Sequence, residues 1–162
     1  MRHVKGKVKR SLKWVIGAGL LLGAALQLTN PSHSNPPVVA GRDLLAAHPP
    51  PAPVAGFLRE ACYDCHSYET RWPWYSYVAP ISWSLAGHVN DGRERLNFSE
   101  WPLDDPSRAR KKWNRIADVV DSGDMPLRQY TWIHRKARLD AQQRGQLTQY
   151  AQQEASRLAA EK

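Results

Sequence analysis

The sequence predicts an all-α fold of short helices, on three observations. Apolar residues recur at helical spacing, as in Trp113, Ile116, Ala117 and Val120. Start and stop signals bracket that stripe, with Asp105-Pro106 before it and Gly123 after it. No segment alternates apolar and polar residues as a half-buried strand does.

The elements follow in chain order. Residues 1–30 hold Arg2, Lys5, Lys7, Lys9, Arg10 and Lys13, and no acidic residue. An uncharged run, WVIGAGLLLGAALQL, extends from Trp14 to Leu28. A basic block before an apolar run is the layout of an export signal, and it keeps that end in the cytoplasm. The run is about 15 residues, short of the ~20 of a spanning helix and long for the core of a cleaved signal. An uncleaved single-pass transmembrane anchor is the first expectation. A removed signal is the second, with Val38-Val39-Ala40 as a passable but distant site. A buried helix of the folded domain is the third, and the charge block fits it badly.

Residues 31–53 contain seven of the twelve prolines and form a Pro-rich linker, in which VVAGRDLLAA (38–47) has room for a helical turn or two. Residues 54–162 form the folded domain. Its helices are expected at Val54–Cys62, at Ile81–Val89 after Pro80, at Pro106–Ser122, and from an Asp140 cap to about Leu158. The charge divides with these segments. Of the net +8, residues 31–162 carry only 17 Lys and Arg against 15 Asp and Glu. The pI near 9.8 is therefore a property of the N-terminus, and it gives no reason to expect nucleic acid as a partner.

The chain has two cysteines, in Cys62-Tyr63-Asp64-Cys65-His66. C-x-x-C-H is the attachment sequence of c-type haem. On a helical turn the two thiols share a face, placed for thioethers to the two vinyl groups of one porphyrin. His66 then offers an imidazole to the iron as proximal ligand. Three rivals stand beside this reading. A redox dithiol belongs with a βαβ pattern that is missing here. Structural zinc needs a fourth ligand. A disulfide between helical cysteines three apart is strained.

Met125 is the only methionine besides Met1. It lies in Gly123-Asp124-Met125-Pro126, on a loop after the third expected helix, where a soft thioether suits the second axial position of haem iron. His88 and His134 are the alternative distal ligands, and an open or water-bound iron is the remaining one. Arg71, Arg93 and Arg95 are candidates for pairing with haem propionates. The aromatic run after Arg71 is a candidate to pack on the macrocycle. The Arg108–Arg115 cluster is a solvated face or a dock for an acidic partner.

Three stretches, CYDCHSYETRWPWYSYVAPISW (62–83), HVNDGRERLNFSEW (88–101) and DMPLRQYTWIHRKARL (124–139), resemble the haem-binding domain family of bacterial cytochrome c-like proteins, exported and usually membrane-tethered. The resemblance implies a small cytochrome c-like helical domain around one covalent haem c on Cys62 and Cys65. It implies axial ligation by His66, with Met125 at the position of the usual distal Met, and it makes His88 and His134 part of the family pattern. The expected function is one-electron transfer to redox partner proteins on the periplasmic side of the inner membrane, by a carrier rather than an enzyme. The alternatives are a haem enzyme or sensor for peroxide, NO or CO, and a haem module that supports a larger complex. Cleavage of the signal would leave the protein soluble in the periplasm.

Overall fold

The computed structural model describes residues 2–160, with side chains from Leu12 onward. Among the described residues the helices are α1 (Arg2–Gln27), α2 (Leu44–Ala47), α3 (Ala52–Ala61), α4 (Tyr63–His66), α5 (Ile81–Arg95), α6 (Pro106–Asp121), α7 (Arg128–Ile133) and α8 (Ala141–Ala160). Short 3-10 turns form at Trp74–Tyr77, Phe98–Glu100 and Arg135–Ala137. No strand forms among the described residues, so the all-α expectation holds.

The chain divides into two compact units. One contains the residues up to His33 together with Trp72–His88, and the other contains Ser34–Arg71 with the chain from Val89 onward. Trp72–His88, which the sequence places inside the 54–162 domain, thus lies with the N-terminal segment.

The larger unit is built on α6 and α8. Pro106 occupies the first turn of α6, and Asp105 caps it by accepting the Arg108 amide at 2.9 Å. Ala109, Trp113, Ile116, Ala117 and Val120 then form one buried stripe. The α8 start is a reciprocal cap. The Asp140 side chain accepts the Gln143 amide at 2.8 Å, and the Gln143 side chain accepts the Asp140 amide at 2.9 Å. Leu147, Ala151 and Ala155 of α8 join the core.

A chain of rings runs through this core from the cysteine motif. Tyr63 stacks on Phe98 at 5.0 Å, Phe98 lies 6.1 Å from Trp101, Trp101 4.9 Å from Trp113, and Trp113 5.5 Å from Tyr150. The residue between the two cysteines is therefore part of the main hydrophobic core.

Part of the expected linker is folded into the same unit. Asp43 and Leu44 are buried, and Asp43 caps α2 by accepting the amides of Leu45 and Ala46. α5 continues past the expected end at Val89 to Arg95, through a polar stretch without apolar periodicity. α7 was not expected: it is six residues long and buries none of them.

In the smaller unit α1 exposes its apolar residues on every side, among them Val15, Ile16, Leu20, Leu21 and Leu22. Lys13 and Gln27 bound that stretch, and among the described residues no helix is long and apolar enough to cross a membrane. Of the basic block only Lys13 has a described side chain. Arg2, Lys5, Lys7, Lys9 and Arg10 have side chains outside the described ones.

Candidate functional site

The cysteine motif forms a helical turn, as its spacing predicts. Cys62 ends α3 with its amide on the Leu58 carbonyl, and its own carbonyl accepts the amides of Cys65 at 3.2 Å and His66 at 2.9 Å. Both cysteines are free and half-buried. Burial, and then the neighbouring Cys65, pushes the Cys62 thiol up to about 12. Burial and the Asp64 charge push Cys65 up to about 11. Both are thiols at neutral pH, whereas dithiol redox chemistry uses thiolates. Among the described residues no group of three or more His, Cys, Asp or Glu is placed to hold a metal ion by itself.

The imidazole of His66 is fixed from behind. Its Nδ1 lies 2.9 Å from the Gly92 carbonyl oxygen and 3.0 Å from that of Leu96. A carbonyl can only accept, so the proton is on Nδ1 and the lone pair is on Nε2. Burial, the dominant influence, holds the ring below the usual histidine range, while the two carbonyls pull the other way. A neutral ring with Nδ1–H on a carbonyl and Nε2 free is the form that ligates iron. The site therefore fits haem: two thiols one turn apart, and beside them an imidazole with its ligating nitrogen unengaged.

Glycine at position 92 makes this arrangement possible. A Cβ there would lie 2.5 Å from the Cys65 carbonyl oxygen and 3.1 Å from its carbon. The C-terminal half of α5 approaches the motif backbone to backbone, and only glycine allows that distance.

The two residues between the cysteines anchor the turn. The Tyr63 hydroxyl donates to Asp43, 3.1 and 3.2 Å from its two carboxylate oxygens. Asp64 is buried and accepts from the Arg71 amide and Nε, both at 3.1 Å, and from the Tyr130 hydroxyl at 2.7 Å. Burial and then Asp64 raise the Tyr130 hydroxyl well above its ordinary range, so it stays a donor. Tyr130 belongs to α7, which begins directly after the Met125 loop, so the motif and that part of the chain are tied together. Sequence reasoning missed Asp43, Tyr63, Asp64, Gly92 and Tyr130. Only the buried positions of Tyr63 and Asp64 inside a functional motif could have pointed to any of them.

The distal candidates stand in three different settings. Met125 is half-buried on a loop that Gly123 turns with φ +78°, and its amide donates to the Val119 carbonyl at 2.9 Å. The Met125–Pro126 peptide is cis. His134 ends α7 and stacks on Tyr130 at 4.3 Å. His88 is half-buried on the part of α5 that belongs to the smaller unit.

Two of the propionate candidates are engaged within the protein. Arg71 is held by Asp64, with Glu60 at 3.7 Å. Arg93 donates to the Ser67 carbonyl at 2.8 Å, to Asn35 at 2.7 Å and to Thr70 at 2.9 Å. Arg95 is exposed. Other cations gather beyond the Met125 loop. Pro126, Arg128, Trp132, Arg135, Arg138 and Arg144 line an open cleft of about 570 Å³ that has no acidic residue in its wall. Arg128, Arg135 and Arg138 form no ion pair among the described residues.

The chain matches the model of the haem-binding domain family over residues 21–153. No curated protein and no solved structure matches it. The protein belongs to the haem-binding domain family, and it binds haem.

Proposed function

We propose that this haem-binding protein is a membrane-tethered c-type cytochrome that carries one covalent haem and passes single electrons on the periplasmic side of the membrane. The observation that carries the reading is the His66 imidazole, its proton fixed on Nδ1 by the Gly92 and Leu96 carbonyls, beside two free thiols on one helical turn. Haem supplies a one-electron couple between ferrous and ferric iron. Cys62 and Cys65 would hold the porphyrin by adding their thiols across its two vinyl groups, each forming a carbon–sulfur bond with the thiol proton going to the other vinyl carbon, so that no oxidant would be consumed. His66 Nε2 and the Met125 thioether would be the residues that hold the iron, and ligation by Met125 would raise its potential.

The basic block and the apolar run of α1 support export, with the N-terminus in the cytoplasm and the rest of the chain across the membrane. The partner is a redox protein with an acidic face, and the unpaired arginines beside Met125 offer it a docking cleft. Reversing two of them, Arg135→Glu with Arg138→Glu, is expected to slow oxidation of the ferrous protein by ferricyanide about ten-fold at low salt. Oxidation by a cationic cobalt complex should not slow, and stopped-flow kinetics compares the two.

A second reading, ligand or peroxide chemistry at a vacated distal position, draws on a cavity of about 410 Å³ whose wall includes Asp64, Tyr130 and His134. Absorption spectra with and without CO separate the two readings. Ferrous wild type is expected to bind CO slowly and incompletely, and Met125→Ala rapidly and fully. Rapid CO binding by wild type, unchanged in Met125→Ala, sinks Met ligation and favours the second reading.

A further inference from the structure

We propose that the apolar run of α1 and the exposed side chains of Trp74, Tyr77, Val78 and Ile81 form one lipid-contacting surface, with the segment 72–83 seated at headgroup level and the N-terminal helix retained. The inference rests on the anchoring reading above and extends it to a second stretch of chain, more than forty residues away.

The first observation is α1 itself. From Trp14 to Leu26 it has no charged residue, and its side chains are exposed around the whole circumference. A helix that lies flat on a membrane has a polar face, and this stretch of α1 has none. Lipid is the environment that suits such a helix. Its uncharged run is nevertheless short. About 15 residues at 1.5 Å each reach only ~22 Å, against a hydrocarbon thickness of ~30 Å.

The second observation is what is fastened to the end of that run. The Gln27 amide group donates to the Tyr77 carbonyl at 3.2 Å and accepts the Ala79 amide at 2.7 Å. Asn30 donates to the same Tyr77 carbonyl at 3.0 Å and accepts from the Ser82 hydroxyl at 2.6 Å. The Trp83 indole donates to the Thr29 carbonyl at 3.0 Å. The His33 ring lies 4.7 Å from that of Trp72 and 4.3 Å from that of Tyr77. The side chains of Gln27, Asn30 and His33 and the Thr29 carbonyl all meet segment 72–83, and these contacts lie within the smaller unit.

The third observation is composition. Segment 72–83 holds Trp74, Tyr77, Val78, Ile81 and Trp83 as exposed side chains. Trp and Tyr, with an apolar body and a polar tip, concentrate at membrane–water interfaces. Flanking aromatic anchors together with local bilayer thinning are how a short apolar helix is accommodated. The neck also bears on processing. Cleavage near Val38–Ala40 would remove Gln27, Thr29, Asn30 and His33, and with them these contacts to segment 72–83.

Hydroxyl-radical footprinting of the full-chain, haem-loaded protein in vesicles of phosphatidylethanolamine and phosphatidylglycerol tests the inference. Trp74 is 79% exposed, and Trp132, in the other unit, is 77% exposed and serves as the internal reference. On vesicle-bound protein, Trp74 and Tyr77 are expected to be labelled at least about five-fold more slowly than Trp132, as residues shielded at headgroup level are. Protein extracted from native membranes should still yield the peptide containing Gln27. Equal labelling of Trp74 and Trp132 on vesicle-bound protein overturns this inference alone. Protection of Trp74 only after a membrane protein extract is added overturns it in favour of a protein partner. Protein that fails to float with the vesicles overturns the anchoring reading together with it.

Discussion

Gly92→Ala is expected to dismantle the proximal side of the site. The added methyl would meet the Cys65 carbonyl oxygen at 2.5 Å, a backbone atom with no room to swing aside. Relief requires α5 to retreat from the motif turn. That retreat takes away the Gly92 carbonyl that holds His66 Nδ1 and disturbs the one from Leu96. Overpacking of this kind costs roughly 1–3 kcal/mol. Leaving a buried ring donor unsatisfied adds about 1–3 kcal/mol. The visible consequence is a lower unfolding midpoint in urea, together with altered ligand-field bands in the haem-loaded variant, because the imidazole is no longer oriented. A Gly92→Ala protein with wild-type stability and spectrum would mean that α5 does not approach the motif as closely as described.

Asp64→Ala is the second large effect. Its carboxylate joins three donors, the Arg71 amide, the Arg71 side chain and the Tyr130 hydroxyl. Truncation leaves the Tyr130 hydroxyl and the Arg71 amide without that partner, at about 2–3 kcal/mol in total. The ion pair with Arg71 adds little, because that guanidinium is largely exposed. Tyr130→Phe removes one bond of the three and should cost about 1 kcal/mol. The pair of variants separates a structural from a ligating role. Asp64→Ala is expected to loosen the chain between Met125 and His134 and to increase the fraction of ferrous haem that binds CO, with Tyr130→Phe intermediate. Loss of stability with no change in CO binding would show that Asp64 supports the turn alone.

How much of this was legible in the sequence differs by element. α6 could be read because its cap, its first-turn proline and its apolar stripe all lie within one short stretch. α8 was read from the Asp140 cap, and the motif turn from its two cysteines and histidine. The residues that hold the site together were not legible, because their partners are far away in sequence. Asp43 and Tyr63 are 20 residues apart, and Asp64 and Tyr130 are 66 apart. A polar pair at that separation leaves no periodicity. Gly92 escaped notice because its contribution is an absent side chain, which matters only once α5 is laid on Cys65. α7 and α2 are too short for a helical pattern to repeat. Segment 72–88 lies within the expected 54–162 domain, and its bonds to residues 27–33 join stretches about fifty residues apart, which no local pattern signals.

Denaturing mass spectrometry of the full chain, matured in a host that attaches haem to exported proteins, tests the central claim most directly. The account predicts one haem bound per chain that survives unfolding in acid and organic solvent. It should remain as a single thioether in Cys62→Ala or Cys65→Ala and be lost in the double variant. Haem that dissociates from the unfolded wild-type chain, with Cys62 and Cys65 both recovered as free thiols, would contradict it.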